Sequence, residues 1–158
     1  MKNIIISKQP EKSKNFEKLI RIAQEKNINL IVVKQGDVIE IEKDITMRIL
    51  WPNTESVTKN TLNNNSIVCK INYKDFSVLF TGDIEKEAEN ALINSLEKDT
   101  KILNADILKV AHHGSNTSST EDLIRKIHPK YALIGVGENN KFGHPNNDVI
   151  KRLENIRI

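Results

Sequence analysis

Apolar residues recur in two rhythms along this chain. Between residues 13 and 26 they fall at Phe16, Leu19, Ile20 and Ala23, the i, i+3, i+4, i+7 spacing that lines one face of a helix. Unbroken apolar runs flank that stretch, in Lys2–Ser7 and in Asn29–Lys34, each suited to one short buried strand. Strand, helix, strand predicts a βαβ unit. Gly36-Asp37 then marks a turn. From Asp37 to Pro52 the rhythm shortens to two: Val38, Ile39 and Ile41, then Ile45, Met47, Ile49 and Trp51. That alternation predicts two half-buried strands. Glu55–Asn65 is polar, ends in Asn63-Asn64-Asn65 and reads as a loop. Ser66–Asn72 and Asp75–Thr81 flank Tyr73-Lys74 as a hairpin.

The second half repeats strand and helix in alternation. Ala88, Ala91, Leu92 and Leu96 give Glu85–Leu96 a helical face, and Ala105–Ala111 reads as a strand. Ser118-Ser119-Thr120-Glu121 fits a capping box opening a helix with Leu123, Ile124 and Ile127 inside. Pro129 ends that helix, and Lys130–Gly137 reads as another strand. Asn146 or Asn147 caps a last helix carrying Val149, Ile150 and Leu153. The class is α/β with an early run of antiparallel strands.

Composition narrows the function. At 158 residues the chain has the length of one domain, read as a single unit over 1–158. Its 24 basic and 21 acidic residues leave a net charge of +3, too mild to argue for nucleic acid by itself. No apolar run is long enough to span a bilayer, and the N-terminus lacks a signal-peptide pattern. As written the chain is expected in the cytoplasm. The single cysteine, Cys69, excludes an internal disulfide and a CxxC zinc site, and its apolar surroundings predict a buried thiol.

The chemistry gathers after three strands. One runs into Thr81-Gly82-Asp83, one into His112-His113-Gly114-Ser115, and one into the loop from Gly137 to Pro145 that contains Lys141 and His144. Ligands of α/β sheets collect outside the carboxyl ends of strands. If the three strands run the same way, Asp83, His112, His113 and His144 meet at one edge. Taken singly, Asp83 reads as a helix cap and His144 as a turn residue. His128, beside Pro129, reads as a partner of a helix C-terminus and is excluded from the site. Together, imidazoles and a carboxylate suit zinc or manganese, and a bound metal supplies hydroxide near neutral pH. Ser115 and the amide at Gly114 are placed to hold a phosphate oxygen. Lys141, inside the His144 loop, is the basic residue expected to contact phosphate.

Asn64-Asn65-Ser66-Ile67-Val68, Leu79-Phe80-Thr81-Gly82-Asp83, Leu108-Lys109-Val110-Ala111-His112-His113-Gly114-Ser115 and Gly143-His144-Pro145 resemble the metallo-β-lactamase-fold domain of ComEC-type competence proteins. The likeness runs over roughly residues 1 to 155. It implies an αββα sandwich with a two-metal site, and phosphodiester hydrolysis of DNA during uptake. It implies Asp83 as bridging carboxylate and His112 as terminal histidine ligand. His113, Ser115 and His144 are then substrate-facing, supporting or additional metal groups, and either of the adjacent histidines can be the ligand. Asn63–Asn65 stands where many superfamily members place a histidine, although ComEC-type members carry Asn or Asp there.

One departure is plain. The family's first metal motif, a His-x-His/Asp-x-Asp-His loop, has no counterpart, since no histidine precedes His112. The expected fold is therefore the sandwich truncated in its N-terminal half and at its last strands. The expected function is a fragment of a metal-dependent nuclease, inactive alone and holding one divalent ion or none. The alternative is a non-catalytic α/β binding or interaction module. A complete small metalloenzyme is the least favoured reading. Expected partners are single- or double-stranded DNA, the missing half of the domain, the membrane channel of the full-length family, beside which the domain sits on the outer face, and further copies of the chain through exposed apolar faces.

Overall fold

The computed structural model describes residues 2–8, 13–53, 57 and 59–158. Strand β1 (Asn3–Ser7), helix α1 (Lys14–Glu25) and strand β2 (Asn29–Val33) form the expected βαβ unit, and the two strands pair in parallel. Ser13 opens α1 by accepting the Phe16 N–H at 3.1 Å. Strands β3 (Val38–Glu42), β4 (Ile45–Trp51), β5 (Val68–Tyr73) and β6 (Phe76–Phe80) then run as an antiparallel meander. Strands β7 (Ile107–Lys109) and β8 (Tyr131–Leu133) join it in parallel beside β6. Among the described residues the strand order of this larger sheet is β3-β4-β5-β6-β7-β8.

Four details differ from the sequence reading. The β5–β6 hairpin turns at Lys74-Asp75, one residue later than expected, because Tyr73 pairs with Phe76 and Lys74 takes the left-handed φ of 52°. Part of the polar loop 55–65 lies outside the described residues, but Thr61–Asn64 forms one helical turn, α2. The helix α4 (Glu121–Ile127) is capped by Thr120, whose hydroxyl accepts the Leu123 N–H, and not by Ser118. The strands expected over Ala105–Ala111 and Lys130–Gly137 keep only three paired residues each. Helices α3 (Lys86–Ser95) and α5 (Asn147–Asn155) stand where expected, α5 capped by Asn146.

The pleat sends alternate residues to opposite faces. Leu79, Leu108 and Ala132 are in register on one face and pack under Leu92, Leu123, Ile124, Val149 and Leu153 of the helices. On the other face, Ile49 and Cys69 meet Val33 and Ile5 of the small sheet, with Met47 and Ile39 alongside. Helices, large sheet, small sheet and α1 follow the layer order of an αββα sandwich. The small sheet covers the β3–β5 half only. Phe76, Phe80, Tyr131 and Leu133 on the β6–β8 half stay exposed, Tyr131 at 66% and Leu133 at 52%. The Cys69 thiol is buried, and that burial raises its pKa.

Candidate functional site

Because β6, β7 and β8 are adjacent and parallel, their carboxyl ends bring three loops to one edge. The loops are then locked to one another. The His112 N–H donates to the Gly82 carbonyl at 2.9 Å, tying the second loop to the first. The Asn146 N–H donates to the Gly114 carbonyl at 2.8 Å, tying it to the third. Two glycines allow this closeness. A Cβ on Gly82 would sit 2.7 Å from the Ser66 Cβ, and one on Gly114 would sit 2.8 Å from the Pro145 Cβ. The Asn140 side chain holds the third loop, donating to the His144 carbonyl at 2.7 Å and accepting the His144 N–H at 2.9 Å.

The sequence places His112 and His113 just past the end of a strand, where an extended backbone would turn successive side chains to opposite sides. The backbone does something else. His112 (φ 47°, ψ 43°) and His113 (φ 55°, ψ 21°) are both left-handed, and Gly114 follows at φ 81°. A left-handed residue with a Cβ costs about 1–2 kcal/mol. Two in succession at the meeting point of three loops are backbone strain held by the surrounding contacts.

The turn aims each histidine at an oxygen. His113 donates from Nδ1 to the Gly135 carbonyl at 2.6 Å, which leaves the lone pair of neutral imidazole on Nε2. That Nε2 lies 3.8 Å from Asp83 Oδ1. Two acceptors facing each other at half-exposed positions offer a place for a proton or a cation between them. Two ligands of one tetrahedral ion stand about 3.3 Å apart when each bond is about 2.0–2.1 Å. The pair is thus near the spacing of a shared ion. His112 points its Nδ1 inward, where it is buried without a hydrogen-bond partner and 3.6 Å from Glu85 Oε1. A metal-ligating histidine ordinarily has its second nitrogen held by a carboxylate or a carbonyl, and each histidine has such a neighbour.

The other expected residues are placed as follows. His144 meets the His112 ring edge-on, with centroids 5.8 Å apart. Gly114 is buried against Pro145. The Ser115 hydroxyl is buried and bonded to the Thr117 hydroxyl at 3.0 Å, which in turn donates to Glu85 Oε1 at 3.2 Å. Ser115 therefore faces this internal chain of hydrogen bonds. Lys141 is exposed. Asp83 makes no cap to α3, whose N-cap position is Glu85. His128 is at the end of α4 with Pro129, Lys130 and Asp106 around a separate hollow.

Sequence reasoning passed over Glu85. It sits at the start of α3, buried, and its own N–H donates to Asn64 Oδ1 at 2.8 Å. The carboxylate three residues after Gly82 was the available signal, but helix starts are commonly acidic. A second buried acid, Glu89, accepts the N–H groups of Ser119 and Thr120 and so anchors the chain after the histidines. Burial raises its pKa, against the pull of those hydrogen bonds.

As a metal site the arrangement supplies some donors and not a full set. Asp83 with His113, and His112 backed by Glu85, fit the donor chemistry of zinc or manganese. No group of three or more His, Cys, Asp or Glu that could hold an ion exists among the described residues, whereas zinc takes four ligands.

Residues 8–138 match the Metallo-beta-lactamase superfamily, and the chain belongs to that superfamily. Its relatives include one named as a competence protein. It is 35% identical over 158 residues to ComE operon protein 3 of Bacillus subtilis (strain 168), covering 100% of this chain and 20% of that protein. It is 34% identical over 110 residues to Recombination protein 2 of Haemophilus influenzae, covering 70% of this chain and 13% of that protein. It is 31% identical over 91 residues to Competence protein ComA of Neisseria gonorrhoeae, covering 58% of this chain and 13% of that protein. The chain spans a fifth or less of the length of these relatives. No described helix is long and apolar enough to cross a membrane.

Proposed function

We propose that the chain is part of a metal-dependent hydrolase that cuts phosphodiester bonds of DNA in a DNA-uptake protein, and that it contributes part of a metal site completed by residues outside it. The observation that carries this reading is the Asp83–His113 pair, two acceptors 3.8 Å apart at the junction of three interlocked loops. A divalent ion held there would supply a Lewis acid for the phosphoryl group and would activate water near neutral pH. The chain's own residues divide the remaining work. Asp83 and His113 Nε2 hold the cation, with His113 oriented by the Gly135 carbonyl. His112 is the further ligand, oriented by Glu85. His144, fixed by Asn140, lies against His112 on the substrate side. Lys141 is the cation available to a phosphate of the strand. In the full-length protein this unit works beside a membrane channel.

Elemental analysis of the purified chain tests the proposal, with Asp83→Ala plus His113→Ala, and Asp83→Ala plus His112→Ala, as controls. The expected result is at most one weakly held ion, lost in both double variants. Nuclease activity is expected only when the remainder of the domain is supplied in trans. Two tightly held ions, or DNA cleavage by the chain alone, would refute the shared-site reading. No cleavage after reconstitution would favour a non-catalytic binding module.

A further inference from the structure

The third loop carries a feature that metal chemistry does not use. Phe142 is 82% exposed, the most exposed of the large apolar side chains described. Its ring is nearly parallel to the His144 ring, 16° apart with centroids at 5.8 Å, within the range of offset stacking. His144 in turn meets His112. Three rings thus step outward from the buried Nδ1 of His112 to solvent, and the outer face of the last is open. Beside it lies a cavity of about 190 Å³ lined by His113, Val136, Gly137, Asn140, Phe142 and His144. One wall of that cavity, His113, is half of the Asp83 pair.

We infer that Phe142 is a base-stacking platform: an unpaired nucleobase lies on its open face while the adjoining phosphodiester lies at the cation that Asp83 and His113 would hold. The inference rests on the nucleic-acid reading above and names the form of the substrate. A flat ring held against a second flat ring offers a π-face, which every base can match without sequence preference. His113 and Phe142 line the same cavity, which places the base and the adjoining phosphate of one nucleotide on its two walls. Bases inside a duplex already have both faces covered by their neighbours. A single strand, or a frayed end, is therefore the form that fits. Asn140 stiffens the platform through its two hydrogen bonds to the His144 main chain.

The test compares a dye-labelled oligo(dT) with an abasic strand of equal length, by fluorescence anisotropy at one fixed salt concentration. The chain is expected to bind the base-bearing strand about 5- to 150-fold more tightly, the range of one stacked base. Phe142→Ala is expected to reduce that ratio to about one, and Phe142→Trp to preserve it. Equal binding of both strands by the unaltered chain overturns the platform and leaves the nucleic-acid reading standing. Equal loss of both strands in Phe142→Ala also overturns it. Binding of neither strand refutes the platform and the nucleic-acid reading together.

Discussion

Replacing Gly114 by alanine tests whether the histidine turn and the His144 loop are locked as described. Gly114 has φ +81°, and a Cβ there would stand 2.8 Å from the Pro145 Cβ and 3.2 Å from the Pro145 Cα. Two costs follow. The left-handed backbone costs about 1–2 kcal/mol once a Cβ is present. Forcing a methyl into a packed contact costs about 1–3 kcal/mol more. The sum is about 2–5 kcal/mol, a large share of the roughly 5–15 kcal/mol that holds a domain together. Gly143→Ala is the matched control. Its φ is +69°, but a Cβ there meets nothing within 4 Å, so only the backbone cost of about 1–2 kcal/mol applies. Urea unfolding, followed by far-UV circular dichroism and by the fluorescence of buried Trp51, measures both. With a slope of about 1–3 kcal/mol per molar, the packing cost of about 1–3 kcal/mol is expected to put the Gly114 midpoint about 0.3–3 M below the Gly143 midpoint. Equal midpoints would show that the loop contact carries no energy, and the locked-loop argument would fall.

Two further outcomes follow from the same geometry. Glu85→Ala leaves His112 Nδ1 without the carboxylate 3.6 Å away, and zinc competition against a chelator is expected to show about 10- to 100-fold weaker binding; an unaltered affinity would remove Glu85 from the site. The Lys130 ammonium and the Ser77 amide depress the Asp106 pKa below its ordinary 3.8. Its stabilising share is therefore present above that value and lost as pH falls through the lower folded value. Asp106→Asn is expected to flatten the stability profile below about pH 5, and a parallel acid limb in the two proteins would contradict it.

Much of the fold was legible because burial writes itself into spacing. Phe16, Leu19, Ile20 and Ala23 gave α1, and alternation from Val38 to Trp51 gave β3 and β4. The convergence of Asp83, His112, His113 and His144 was legible too, since it depends only on β6, β7 and β8 running the same way. What failed to show was local. Nothing in the pair His112-His113 announces a left-handed turn, because histidine tolerates one without requiring it and the loops are held by Gly82 and Pro145 from elsewhere in the chain. Glu85 was hidden for a related reason: a glutamate at a helix start has an ordinary explanation, and its closeness to His112 arises across 26 residues of intervening chain. Thr120 displaced Ser118 as the cap because Glu89 takes the neighbouring amides from a different helix.

The half-covered sheet has a thermal consequence. Heat capacity rises on unfolding because apolar surface becomes wet, by about 12–15 cal/mol/K per residue, or about 2 kcal/mol/K for a chain of this length. Phe76, Phe80, Tyr131 and Leu133 are already 38–66% exposed in the native fold, so they add less to that increment than buried side chains do. The stability curve of the isolated chain is flatter against temperature than its length alone implies. Any layer that docks on β6–β8 dries those side chains, and calorimetry registers the docking as a negative heat-capacity change.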